Sequence, residues 1–283
     1  MPLTPEFMPA LITPFTRDGE INTKAHSANM KKLADAGIEG FVIGGSNGEG
    51  PYLEPGERMR LVETGRRRKT YLMVGVAAET TRTAMAQVGE AVEAKADSVL
   101  VMTPTTLSRG RDEVLTRFYK RIADASPLPV FLYSVPGVTA VNLPVGVIAK
   151  LSRHRNIVGM KDSSGDVVRL QSIIDATPSD FILYSGSSRA LTAAIAIGCH
   201  GAITGSGNYA PALVMEVLAT AKDSPAKARK LQKRLSAISA EVEAHGVPGV
   251  KAAAKASGLE PGHPREPLTR LPRATEQAIA KLI

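Results

Sequence analysis

With 283 residues, the chain is long enough for one large α/β domain or two small ones, and it can bury most of its surface without a metal or disulfide staple. Its single cysteine, Cys199, excludes an internal disulfide framework and a cysteine-clustered zinc site, and suits a reducing cytosol. A formal charge of +8 raises the question of a nucleic-acid partner, which the distribution of that charge answers.

The N-terminus, Met1–Glu6, has no basic region followed by an apolar core, so no secretory signal is expected. The first apolar run, Met8–Thr13, precedes an amphipathic stretch of helical length, Thr23–Ala36, which Gly37 is placed to stop. Gly40–Ile43 is followed by Pro55–Arg68. Tyr71–Gly75 is followed by Thr81–Lys95, with Thr80 or Thr81 as its cap, and Ser98–Met102 by Asp112–Ala125. Further strand candidates are Val130–Tyr133, Ile157–Met160, Phe181–Tyr184 and Ala202–Thr204. All are short and rich in Val, Ile and Leu, as strands buried on both faces should be. Eight such units predict an α/β fold of the (β/α)8 TIM-barrel type, because a doubly wound open sheet usually has fewer repeats at this length.

Beyond Pro211 the strands cease. Leu213–Ala221, Pro225–Glu243, Gly249–Ser257 and Thr275–Leu282 read as helices. The expected organisation is a single domain over 1–283, with the barrel to about 222 and a C-terminal helical appendage over about 223–283. No apolar run approaches the length that spans a bilayer, Ala193–Cys199 being far too short, so a cytoplasmic protein without a membrane partner is expected. Basic residues cluster at Arg66-Arg67-Arg68-Lys69, at Arg153-His154-Arg155, and at Lys227, Arg229, Lys230, Lys233 and Arg234. None is interleaved with aromatics that stack on bases, so no nucleic-acid partner is expected. The charges read as solvated helix faces that attract anionic substrates.

Barrel enzymes place their chemistry at the C-terminal ends of the strands. Four ends carry polar residues directly after an apolar run: Gly44-Gly45-Ser46-Asn47-Gly48-Glu49, Tyr133-Ser134, Lys161-Asp162-Ser163-Ser164-Gly165 and Ser185-Gly186-Ser187-Ser188. Lys161 leaves a dry wall, Ile157–Met160, and dry surroundings favour the neutral amine that attacks carbonyls. The plainer reading is a lysine that reaches water or pairs with Asp162. Tyr133 closes the preceding strand and can pass a proton beside Lys161, or can simply satisfy a buried partner. The loop over residues 44–50 lacks the lysine and spacing of a phosphate loop, but its N–H groups can cradle a carboxylate; alone it is equally a tight turn. His26, His154, His200, His245 and His263 show no metal-ligand spacing, so no metal is expected, and imine chemistry on a lysine would require no organic cofactor.

Together, Gly45-Ser46-Asn47-Gly48-Glu49, Tyr133-Ser134-Val135-Pro136, the run Ile157–Asp166 and Tyr184-Ser185-Gly186 resemble the dihydrodipicolinate synthase/N-acetylneuraminate lyase family of class I aldolases. The resemblance runs from Pro9–Phe15 to Pro264–Leu268, and the lysine-bearing segment is its most specific element. It implies Lys161 as the Schiff-base lysine for pyruvate, Tyr133 and Ser46 as the proton relay, and Ser46 and Asn47 as holders of the pyruvate carboxylate. It also implies that backbone near Gly186 and Ile203 lines the pocket, and that the chain forms a homo-oligomer, a dimer or tetramer.

Within the family, Ser46-Asn47, Tyr133–Pro136 and Asn142-Leu143-Pro144 lean toward 4-hydroxy-2-oxoglutarate aldolase. Dihydrodipicolinate synthases carry Thr-Thr in the loop and, where this chain has Val138, an arginine that holds the carboxylate of aspartate semialdehyde. The family's tyrosine pair after Thr-Pro is absent: the segment reads Thr103-Pro104-Thr105-Thr106-Leu107-Ser108. The three-hydroxyl relay therefore lacks a member, which water, Thr106 or Tyr52 would have to replace. A distal substrate carboxylate would fall to Ser163, Ser164 or Arg109. The alternatives are a 2-keto-3-deoxy sugar-acid aldolase or dehydratase, a dihydrodipicolinate synthase, and a catalytically weak oxo-acid-binding protein.

Overall fold

Eight short strands run parallel and pair with their sequence neighbours: β1 (Phe7–Pro9), β2 (Gly40–Ile43), β3 (Tyr71–Val76), β4 (Ser98–Met102), β5 (Val130–Ser134), β6 (Ile157–Asp162), β7 (Ile182–Ser185) and β8 (Gly201–Thr204). β1 lies beside β8, and a parallel bridge between Ala10 and Val42 joins it to β2 and closes the ring. The result is a TIM barrel, as the eight apolar runs predicted. This computed structural model describes residues 4–67 and 69–283. Met1–Leu3 of the signal-peptide reading, and Arg68 of the first basic cluster and of the second helix's expected end, lie outside them.

The helices are α1 (Thr23–Asp35), α2 (Glu57–Gly65), α3 (Thr81–Glu93), α4 (Asp112–Ala125), α5 (Pro136–Thr139), α6 (Val145–Leu151), α7 (Val167–Ala176), α8 (Leu191–Ala196) and α9 (Pro211–Ala221), followed by α10 (Pro225–Glu243), α11 (Gly246–Ala256) and α12 (Arg273–Ala280). Local chemistry sets their ends. The Thr80 hydroxyl accepts the Thr83 N–H at the start of α3, and Gly37, at φ +95°, ends α1 in a conformation that costs other residues strain. Pro211 and Pro225 open α9 and α10, where a missing N–H costs nothing. α10 packs on α8 and α9, and α11 on α10 and α12. Among the described residues, no helix is long and apolar enough to cross a membrane.

Many element boundaries shift by a few residues from the sequence reading, and β1, α2 and β6 show why. β1 ends at Pro9 rather than Thr13, because the chain leaves the regular ladder: Ile12 donates its N–H to the Asn208 side chain. α2 starts at Glu57 because Gly56 is left-handed, and it stops at Gly65 where Arg66 turns extended. β6 runs two residues further than expected and takes in Lys161 and Asp162, since the backbone ladder continues after the apolar side chains stop. Alternation along these strands places the site. On β5, Val130 and Leu132 face the helices while Phe131 and Tyr133 fill the barrel. On β6, Met160 faces the helices and Lys161 stands opposite Tyr133 in register.

Candidate active site

Lys161 is only 3% exposed. Its ammonium donates to the Tyr133 hydroxyl at 3.3 Å and lies 4.5 Å from the centre of that ring. Tyr133 OH is in turn 3.2 Å from Ser46 Oγ, so strand ends β2, β5 and β6 deliver three groups in one row. The neighbouring carboxylate does not take the lysine. Asp162 accepts from Arg169 Nε at 2.9 Å and from the Ser164 N–H at 2.9 Å, which leaves Lys161 without a carboxylate partner from that side and removes the pairing reading. Gly186 makes room for the lysine: a Cβ there would come within 2.9 Å of Lys161 Cε and closer still to Ser163 Oγ.

The Ser46–Asn47 loop is braced from below. Among the described residues, the main-chain N–H groups of Ser46 and Asn47 are not spent on other backbone groups. Glu49 adopts φ 56°, a left-handed conformation that costs a non-glycine residue about 1–2 kcal/mol, and its carboxylate is held by Lys251 Nζ at 2.6 Å and the Arg265 N–H at 2.7 Å. Lys251 also donates to the Thr13 carbonyl at 2.8 Å and to that of His263. Burial pulls its pKa down to about 8, against the opposing pull of Glu49. Behind the loop, the fully buried Arg58 donates to the carbonyls of Gly50 and Gly75. The loop is therefore fixed by two buried cations that no strand-end pattern reveals.

These groups open on a cavity of about 600 Å³ that Ser46, Asn47, Tyr133, Lys161 and Gly186 all line. Ile203 does not: it is fully buried among barrel-interior residues such as Met8 and Tyr184, and on its side the lining residue is Gly205, against which Asn47 packs. Of the substitutes for the missing relay tyrosine, Tyr52 lines the cavity, whereas the Thr105 and Thr106 N–H groups are bound to the Glu79 carboxylate and Thr106 is not among the lining residues. Of the three receivers expected for a distal carboxylate, only Ser163 lines the cavity. Ser164 is taken up by Asp162, and Arg109 is exposed elsewhere.

Among the lining residues that the sequence reading missed, one is ionisable. Glu243, the last residue of α10, reaches the cavity from the C-terminal appendage. Its Oε1 accepts from Ser188 Oγ at 2.6 Å and lies 3.3 Å from the Tyr209 hydroxyl. Burial raises its pKa, while those two hydroxyls and the charges of Arg189 and Lys161 pull the other way. No sequence signal marks it, because a glutamate at the end of a basic amphipathic helix looks like any solvated residue.

Fold and site together define the class: this is an enzyme of the pyruvate-dependent class I aldolase type. The model of the dihydrodipicolinate synthetase family matches residues 4–283, and the chain belongs to that family. The 4-hydroxy-tetrahydrodipicolinate synthase of Methanopyrus kandleri is 33% identical over 285 residues, which span 97% of this chain and 93% of the relative. The crystal structure of dihydrodipicolinate synthase DapA-2 from Bacillus anthracis matches with a TM-score of 0.91 at 28% identity, covering 98% of this chain and 97% of that one. YagE, a prophage protein of the dihydrodipicolinic acid synthase family from E. coli K12 solved in complex with pyruvate, matches with a TM-score of 0.92 at 27% identity over 99% of this chain and 97% of that one. The narrower likeness to 4-hydroxy-2-oxoglutarate aldolase rests on the residues at 46–47, 133–136 and 142–144 alone.

Proposed function

We propose that the protein is a Schiff-base lyase that breaks or forms the C3–C4 bond of a 4-hydroxy-2-oxo acid, yielding pyruvate and an aldehyde, the reaction type of 4-hydroxy-2-oxoglutarate aldolase. The observation that carries this is the hydrogen-bonded row Lys161–Tyr133–Ser46 facing one cavity. Lys161 Nζ attacks the C2 carbonyl, and the resulting carbinolamine loses water to give a protonated imine. As the C3–C4 bond breaks, its electron pair moves into a C2–C3 double bond and neutralises the iminium. The C4 hydroxyl gives its proton to the Tyr133–Ser46 row and becomes the aldehyde carbonyl. The enamine takes a proton at C3, and water hydrolyses the imine to pyruvate and free Lys161.

Ser46, Asn47 and the loop N–H groups are the carboxylate cradle in this reading, and Gly186 is the space the imine needs. On the β8 side the wall in this reading is Gly205, two residues beyond Ile203. A second reading, condensation of pyruvate with aspartate semialdehyde, is favoured by the names of the relatives. Against it stands Val138, which lines the cavity and cannot make the charge-assisted contact an arginine would. Enamine formation is testable without knowing the aldehyde. In deuterated buffer, the protein should exchange the methyl protons of pyruvate, read by proton NMR. Absence of exchange above the buffer rate at saturating pyruvate would overturn the reading.

A further inference from the structure

The cavity is charged asymmetrically. Among the described residues, Lys161 is the only cationic side chain that lines it. The proposed reaction consumes that amine at C2 of the substrate. Of the two carboxylates that line the cavity, Glu49 is neutralised by Lys251 at 2.6 Å. Glu243 is not neutralised in this way: its neighbours Ser188 and Tyr209 offer hydroxyls, and both come to the same oxygen, Oε1. Among the described residues Oε2 has no protein donor, which leaves it as the acceptor offered to a ligand. The hydroxyls that hold the carboxylate are themselves fixed, Ser188 and Tyr209 being 1% and 3% exposed, with Tyr209 OH also 3.1 Å from the buried Ser239. The cavity lining also includes apolar or small residues, among them Val138, Val247, Gly246 and Leu268.

We infer that Glu243 is a specificity-determining residue that selects the aldehyde half of the substrate: it accepts a hydrogen bond from a hydroxyl-bearing, uncharged distal group and repels a distal carboxylate. This deepens the proposed function and rests on it. Repulsion between a distal carboxylate and Glu243 should discriminate roughly ten- to hundredfold, and among the described residues no second cation lines the cavity to offset it. Arg189 acts on Glu243 by charge, yet it is exposed and not among the lining residues. The substrate class this selects is a 2-oxo acid whose remaining carbons carry hydroxyls, rather than 4-hydroxy-2-oxoglutarate with its second carboxylate. Burial raises the pKa of Glu243, so the repulsion weakens as pH falls and the carboxylate protonates.

The test is run in the condensation direction with pyruvate and three aldehydes: glyceraldehyde, which is an uncharged polyol; glyoxylate, which carries a carboxylate; and aspartate semialdehyde, which carries a carboxylate and an ammonium. The expected result is a kcat/KM for glyceraldehyde at least about tenfold above that for glyoxylate. Glu243→Gln keeps the shape and the contacts to Ser188 and Tyr209 but removes the charge, so it should narrow that ratio by raising the glyoxylate value. A purely structural glutamate would leave the ratio unmoved. Preference for glyoxylate, an unchanged ratio in Glu243→Gln, or preference for aspartate semialdehyde through its ammonium would each overturn the inference. So would failure of all three aldehydes to react while pyruvate methyl exchange proceeds. Loss of that exchange in the wild-type protein would instead remove the proposed function itself.

Discussion

Two lysines are buried to the same degree in this barrel, Lys161 and Lys251, each 3% exposed, and their surroundings could hardly differ more. Lys251 meets the Glu49 carboxylate at 2.6 Å and two backbone carbonyls, so all three ammonium protons have acceptors. Lys161 meets the Tyr133 phenol, the face of the same ring and an open cavity, while the carboxylate beside it in sequence is held by Arg169. Burial alone therefore does not mark a nucleophile. In the proposed function, what separates a tether from a reactive amine is whether the protein has already used its hydrogen-bonding capacity and balanced its charge.

The largest effect that sharpens this contrast is on turnover. Lys161→Ala should abolish pyruvate release, a loss beyond about 10⁴-fold, because no other group replaces the imine. Its unfolding free energy in urea titration should fall by less than about 1 kcal/mol, since a cavity-facing lysine leaves no core void. Severe unfolding of that variant would mean Lys161 is a structural residue after all. Next in size, Tyr133→Phe should lower kcat by about 10²–10⁴, the usual range for a positioned acid–base group, whereas Thr106→Ala should leave kcat nearly unchanged. Equal losses from the two would show that Thr106 enters the relay despite its N–H bond to Glu79.

Lys251→Met should reverse the pattern. It leaves Glu49 buried without its counter-charge, so unfolding free energy should drop by about 3–5 kcal/mol in urea titration. A loss well below 1 kcal/mol would break the comparison from the other side. His26 extends it to a third buried base. It is 1% exposed, with Nε2 at 3.0 Å from the Leu61 carbonyl, and burial lowers its pKa from 6.5 to about 4. The unfolded chain takes up that proton first as pH falls. The stabilisation is thus complete above about pH 6.5 and is lost toward pH 4, by about 3 kcal/mol in total. His26→Asn should flatten that part of the stability–pH curve. An unchanged slope would show that His26 is not its source.

Much of this was legible in the sequence, and the reason is physical. Strands buried on both faces are short apolar runs whatever the rest of the chain does, so the barrel and the polar residues closing each run could be read directly, Lys161 and Tyr133 among them. What escaped reading depends on contacts between distant segments. Glu243 enters the cavity from α10 only because that helix packs across α8 and α9, and Lys251, on α11, meets Glu49 from about 200 residues away in sequence. The Asp162–Arg169 pair spans a strand end and a helix start, so neither strand nor helix periodicity brings its members together. Near Ile203 it is Gly205 that lines the cavity, a distinction that alternation along a strand does not carry.

The most direct test sets the two lysines against each other in one experiment. Folded protein at saturating pyruvate is treated with borohydride, digested, and its peptides are weighed by mass spectrometry. Reduction should fix one pyruvate-derived mass on the peptide carrying Lys161 and none on the peptide carrying Lys251. Recovery of the Lys161 peptide unmodified, or the adduct on Lys251 instead, would contradict the account.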